Sequence, residues 1–224
     1  MFPLVIWILI VGTAVILLSF ILSLRVRKLK GLDKELRYFF LLPMVGLLLS
    51  LNSFIFLFFK TNYEVTGLFI EKVLTALDFT FWFFFFFLMS HRQSTRSGLR
   101  IIFLYFLTLS VFIYINQQER WTFVGMGIAN FVVCLNCLNY FYLLFKSPPT
   151  LVLKKEPAFW ITVGLFFYTA TTIPIYLTTT YLHLNMSKIK LGLFLLTNLA
   201  IIVMHFFFIK AQLCIVKRQK ISFY

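Results

Sequence analysis

Two carboxyl groups, Glu71 and Asp78, stand in an otherwise apolar stretch, and they are the side chains of this sequence best able to do chemistry. An aspartate at the centre of a membrane helix costs about 2.5–3.5 kcal/mol on insertion scales, so it persists only where it faces protein or water and reads as functional by default. Seven residues separate the two acids, which places them on nearly one helical face, two turns apart. Asn198 and His205 repeat that spacing near the C-terminus. At about 1.5 Å per residue, Asp78 falls roughly 16 Å and His205 roughly 21 Å below the outer membrane boundary, so they can meet if their helices are neighbours. Asn52 and Asn130 extend the set, which would converge in the outer half of a bundle as the floor of a cavity. Such a group could hold a small ligand or couple an ion, with Asp78 either protonated or paired to His205.

The elements that must position these residues follow from composition. Of 224 residues, 61% are apolar, 20% aromatic and only 12% charged, too few polar groups to clothe a soluble domain. A disordered chain and a disulfide-stapled secreted fold are excluded as well. Seven windows are long and apolar enough to cross a bilayer as helices: 3–24, 38–59, 67–89, 99–115, 121–145, 158–182 and 191–213. The expected fold is therefore all-α, a polytopic bundle of seven transmembrane helices forming a single domain over residues 1–224. A membrane β-barrel is ruled out because runs such as Phe81 to Phe87 lack apolar-polar alternation.

Basic residues set the direction of insertion. With the N-terminus outside, 16 of the 21 Lys and Arg residues lie on the cytoplasmic side, so the expected topology is N-out and C-in, in the cytoplasmic (inner) membrane of a bacterium. The net charge of +14 is accounted for by that asymmetry, and no nucleic-acid partner is expected. Within the block from Arg25 to Arg37, the cations Arg25, Arg27, Lys28 and Lys30 are placed to contact anionic lipid headgroups. Pro174 lies well inside the sixth window, where it removes a backbone donor and frees the Ala170 carbonyl. A kink is expected over Thr171, Thr172 and Pro174, with the threonine hydroxyls resatisfying the turn. Asn136 and Asn139 in the fifth window read as interhelical hydrogen-bonding residues. The run Phe79, Phe81 to Phe87 reads as lipid-facing and packing surface.

Several chemistries fail on particular residues. Lys210 stands near the cytoplasmic end of the last window instead of its middle, against a retinal Schiff base. His91 and His183 sit at membrane edges, against bis-histidine haem ligation. The Cys134-x-x-Cys137 spacing has apolar flanks and no second ligand pair, so no metal or cofactor is expected. No catalytic set for intramembrane proteolysis is assembled, and an enzyme is disfavoured.

The sixth window carries Glu156-Pro157-Ala158-Phe159-Trp160 and then Gly164-Leu165-Phe166-Phe167-Tyr168. With the seven-span plan, this resembles uncharacterised bacterial seven-helix membrane proteins similar to the sensor modules that sit ahead of, or beside, histidine kinases. The resemblance implies a sensor-like or accessory signalling role, with a small-molecule ligand in the outer-half cavity and a histidine kinase or other membrane protein as partner. The chain ends at Tyr224 without a phosphoacceptor or nucleotide-binding domain, so output would pass through another polypeptide. A proton- or cation-coupled small-molecule transporter and a structural subunit of a membrane complex are the alternatives. For the transporter, the only internal echo is Val45-Gly46-Leu47 against Val163-Gly164-Leu165.

Overall fold

The computed structural model describes residues 2–28, 36, 38–58, 64–93, 100–101, 104–105, 107–109, 122–146, 156–181 and 187–222. Within these, the side chains of 2–5, 52–58, 64–72, 89–93, 122–123, 180–181, 187–191 and 218–222 stand outside the description. All regular structure among the described residues is helical. Helix α1 covers Phe2–Arg27, α2 Leu41–Phe58, α3 Glu64–Gln93, α4 Thr122–Lys146, α5 Pro157–Tyr181 and α6 Ser187–Ser222. Helical residues at 100–101, 104–105 and 107–109 fall in the fourth apolar window.

Four helices are long and apolar enough to cross a membrane, over Ile6–Arg27, Val124–Lys146, Pro157–Thr179 and Gly192–Lys217, and α2 and α3 contribute shorter apolar stretches. Helix α6 overshoots its expected end at residue 213 by nine residues. Its 36 residues span about 54 Å, well beyond a hydrocarbon core of about 30 Å, so one end projects past it. The projecting turns contain Lys217, Arg218, Gln219 and Lys220, good helix formers that extend a helix already nucleated by its apolar part.

The helices close into a ring that follows the chain: α1 packs on α2, α2 on α3, α3 on α4, α4 on α5 and α5 on α6, and α6 returns to α1. The contact between α3 and α4 is the thinnest of these. Tyr105 from the fourth window lies against it, its ring 5.4 Å from that of Phe83 and its hydroxyl 3.1 Å from Thr80 Oγ1. Helices α5 and α6 approach closely because Gly164 has no side chain: a Cβ there would stand 2.9 Å from Phe207 Cβ and 3.1 Å from the Met204 carbonyl oxygen.

Large apolar side chains face outward as well as inward. Trp7, Phe145 and Phe206 are 65%, 70% and 57% exposed, whereas Ser19, Asn130, Thr162, Thr172, His205 and Gln212 are buried. That distribution is the one a bilayer selects, with apolar side chains facing outward and polar ones kept inside the bundle. The apolar core gathers Val26, Phe39, Trp82, Phe85, Phe86, Phe208 and Ile215 at the end of the ring marked by Arg25, Arg27 and Lys217, hereafter the basic end. The aromatic run on α3 serves mainly as packing surface: Trp82, Phe83, Phe85 and Phe86 are core, and Phe84 alone among 82–86 is exposed.

Helix α5 continues through Pro174. The Thr171 and Thr172 hydroxyls donate to the carbonyls of Phe167 (2.8 Å) and Tyr168 (2.9 Å), a turn before the Ala170 carbonyl that the proline frees. They reinforce the preceding turn instead of repairing the gap, because a helical threonine reaches back to its own i−4 carbonyl. Arg25, Arg27 and Lys28 are exposed, with the Arg27 guanidinium 4.3 Å above the Phe40 ring; Lys30 lies outside the described residues.

Candidate functional site

A cavity of about 110 Å³ occupies the interior of the ring and is lined from five helices. Helix α3 contributes Asp78 and Trp82, and α6 contributes Asn198, Met204, His205 and Phe208. Gly12 comes from α1, Gly46 and Ser50 from α2, and Tyr168 from α5. Asp78 lies midway along α3 and His205 midway along α6, so the cavity sits at half-height. Helices α3 and α6 are not sequential members of the ring; they face each other across it, where the Trp82 and Phe208 rings are 6.3 Å apart.

The polar groups are held by their own helices. Asp78 interacts with Trp82 one turn on, whose indole N–H is the only donor that side chain offers. Asn198 Nδ2 donates to the Phe194 carbonyl at 2.9 Å, which fixes the amide and leaves its Oδ1 free. Thr13 on α1 donates to the Leu9 carbonyl at 2.8 Å and also meets the Ser50 hydroxyl. Since the one Thr13 proton goes to Leu9, Ser50 is the donor of that pair and its own lone pairs remain open.

His205 differs from these. It is 1% exposed, stacks edge-on against Phe208 with centroids 5.2 Å apart, and its Nδ1 has no hydrogen-bond partner. A buried polar atom left unpaired costs about 1–3 kcal/mol. Its Nε2 would lie 3.3 Å from a Cβ placed on Gly46, so that glycine makes room for the imidazole.

Of the residues singled out from the sequence, the structure brings Asp78, Asn198 and His205 to one cavity. Asn130 is elsewhere. It is buried between α4 and α5, donates to the Met126 carbonyl at 2.9 Å, and its Oδ1 lies 3.4 Å from the Thr172 hydroxyl oxygen. Its face of α4 is turned to α5, which removes it from the cavity set. The side chains of Asn52 and Glu71 lie outside the described residues. Asn136 bonds its own helix, at the Val132 carbonyl, and Asn139 is exposed, so neither bridges helices through the contact expected of it.

Sequence reasoning missed Trp82, Ser50, Tyr168 and Gly46. Trp82 carried a readable signal, being four residues from Asp78 and so on its face. Ser50, Tyr168 and Gly46 carried none that separates them from other serines, tyrosines and glycines of the same spans. A second missed pair lies nearer the basic end, where Gln212 Nε2 donates to the Ser19 carbonyl at 3.0 Å and ties α6 to α1. No protein-family model, curated protein or solved structure matches the chain.

Proposed function

We propose that this chain is a receptor-like bundle of the bacterial cytoplasmic membrane, crossing it seven times with its N-terminus outside and its C-terminus inside. A small molecule enters the half-height cavity, and the occupied bundle passes its state to a partner protein, such as a histidine kinase, at the basic end. One observation carries the reading: a carboxyl group and a buried imidazole with an unpartnered nitrogen share a cavity inside a closed ring of apolar helices. Polar groups in that position are costly to bury and are relieved by a ligand. The aromatic core below the cavity supports a receptor over a pore, since it fills the ring between the cavity and the basic end.

Asp78→Asn, which keeps the shape of the side chain and removes its charge, is the direct test. The purified protein is screened against a panel of small polar metabolites for ligand-dependent rises in detergent melting temperature. A rise in the parent protein that the variant loses supports the reading. If no compound shifts the parent, or if the variant responds equally, the cavity is not a receptor site. A coupled carrier is the second reading, favoured by the half-height position of Asp78, and it predicts pH-dependent uptake into liposomes.

A further inference from the structure

The hydrogen-bonding balance of the cavity narrows what it accepts, and this rests on the receptor reading above. Several of the donors on its wall are already committed. One Asn198 amide hydrogen serves the Phe194 carbonyl, the Ser50 hydroxyl serves Thr13, and the Trp82 indole N–H and the Tyr168 hydroxyl interact with Asp78 and Tyr176, respectively. What remains open is weighted toward acceptors, the Asp78 carboxyl oxygens, the Ser50 lone pairs and Asn198 Oδ1, beside the second Asn198 amide hydrogen. His205 adds a buried ring nitrogen without a partner. The lining contains no lysine or arginine. With a carboxyl on its wall and no cationic side chain, the site has the wrong sign for an anion.

Its aromatic wall refines this. The Trp82 and Tyr168 rings stack 6.2 Å apart, and Phe208 lies beside Trp82, so π-faces border the carboxyl. Aromatic faces next to a carboxyl favour an organic cation over a strongly hydrated metal ion. The acceptors favour a cation that brings N–H donors. Volume sets the size: a dry cavity of roughly 150 Å³ admits benzene, and this one, at about 110 Å³, suits a molecule with fewer heavy atoms.

We propose that the cavity binds a small primary alkylammonium ion, its –NH₃⁺ held by Asp78, Ser50 and Asn198 and its short alkyl part lying against Trp82 and Phe208. The –NH₃⁺ group supplies three donors to three acceptors, and its charge offsets the one carboxylate of the wall.

The test uses the full chain in lipid nanodiscs and isothermal titration with ethylammonium chloride at constant ionic strength, with tetramethylammonium, sodium and ethanol as comparison probes. Saturable binding of ethylammonium is expected, with no binding or competition from tetramethylammonium, which has no N–H, or from ethanol, which has no charge. Asp78→Asn weakens ethylammonium binding by about tenfold or more, and Ser50→Ala, a change too small to disturb folding, weakens it by roughly threefold. An undiminished response in both variants overturns the proposal. Asp78-dependent binding of sodium or ethanol without ethylammonium overturns the amine assignment while leaving the receptor reading intact. Absence of saturable binding by every probe, together with no response to the metabolite panel, overturns both.

Discussion

The two halves of the ring interior solve opposite problems. Toward the basic end, Phe39, Phe85, Phe86 and Phe208 fill the space between helices, with the Phe39 and Phe208 rings 5.0 Å apart and edge to face. One to three turns away, the same α3 and α6 present Asp78, Asn198 and His205 to a cavity. Trp82 and Phe208 belong to both, forming the floor of one and the roof of the other. The difference teaches where stability and selectivity reside. The filled half holds the helices through van der Waals contact, the main attraction available where lipid is as apolar as leucine. The hollow half forgoes that contact and keeps polar groups that an apolar filling would have eliminated.

If that division is right, the filled half is the place where a truncation costs most. Phe39→Ala removes a ring that meets Phe85 and Phe208 and is 2% exposed. It is expected to destabilise the protein by about 3–5 kcal/mol, read as a lowered midpoint of denaturant unfolding in mixed micelles. A loss no larger than that of a cavity-wall substitution would erase the contrast between the halves.

A smaller effect is expected where backbones touch. Gly164→Ala places a methyl group against Phe207 Cβ and the Met204 carbonyl, neither of which is the free end of a flexible chain. Helices α5 and α6 must part slightly, at an expected cost of about 1–3 kcal/mol, measurable by the same unfolding assay. Because His205 and Met204 line the cavity from that stretch of α6, the variant should also weaken any ligand response that the parent shows. An unchanged response would show that the cavity is insulated from the α5–α6 seam.

These contrasts also mark how far the sequence could be read. Helical class and membrane character follow from apolar runs, since length and hydropathy alone decide whether a segment can satisfy its backbone in lipid. Asp78, Asn198 and His205 stood out because a polar side chain in an apolar run has to be sheltered, and 3.6-residue periodicity puts Asn198 and His205 on one face. Asn130 sent the same signal and faces α5 instead. Nothing local distinguishes the two asparagines: the rotation of each helix and the order of the ring decide which polar group meets the cavity. Gly46 and Gly164 share the sequence Val-Gly-Leu, yet one makes room for an imidazole and the other for a neighbouring helix backbone. The aromatic run of α3 could be read as lipid-facing and packing surface but not divided between them, because a segment apolar on every side gives no sign of which rings face lipid and which face protein.

The smallest effect separates polar groups that serve the fold from those held open for a ligand. Gln212 is 1% exposed and spends one amide hydrogen on the Ser19 carbonyl, while its Oε1 and the nearby Ser19 hydroxyl are both without partners. Interhelical hydrogen bonds in membranes contribute about 0.6 kcal/mol on average, and an unpaired buried oxygen costs at least as much. Gln212→Leu deletes both together and preserves the volume between α1 and α6. It is therefore expected to leave stability within about 1 kcal/mol of the parent or to raise it slightly. Binding at the cavity should be unaffected, since Gln212 is absent from its wall. A clear loss of stability would mean that Gln212 holds α1 against α6 through more than one hydrogen bond. A loss of binding with stability intact would extend the ligand site down into the filled half.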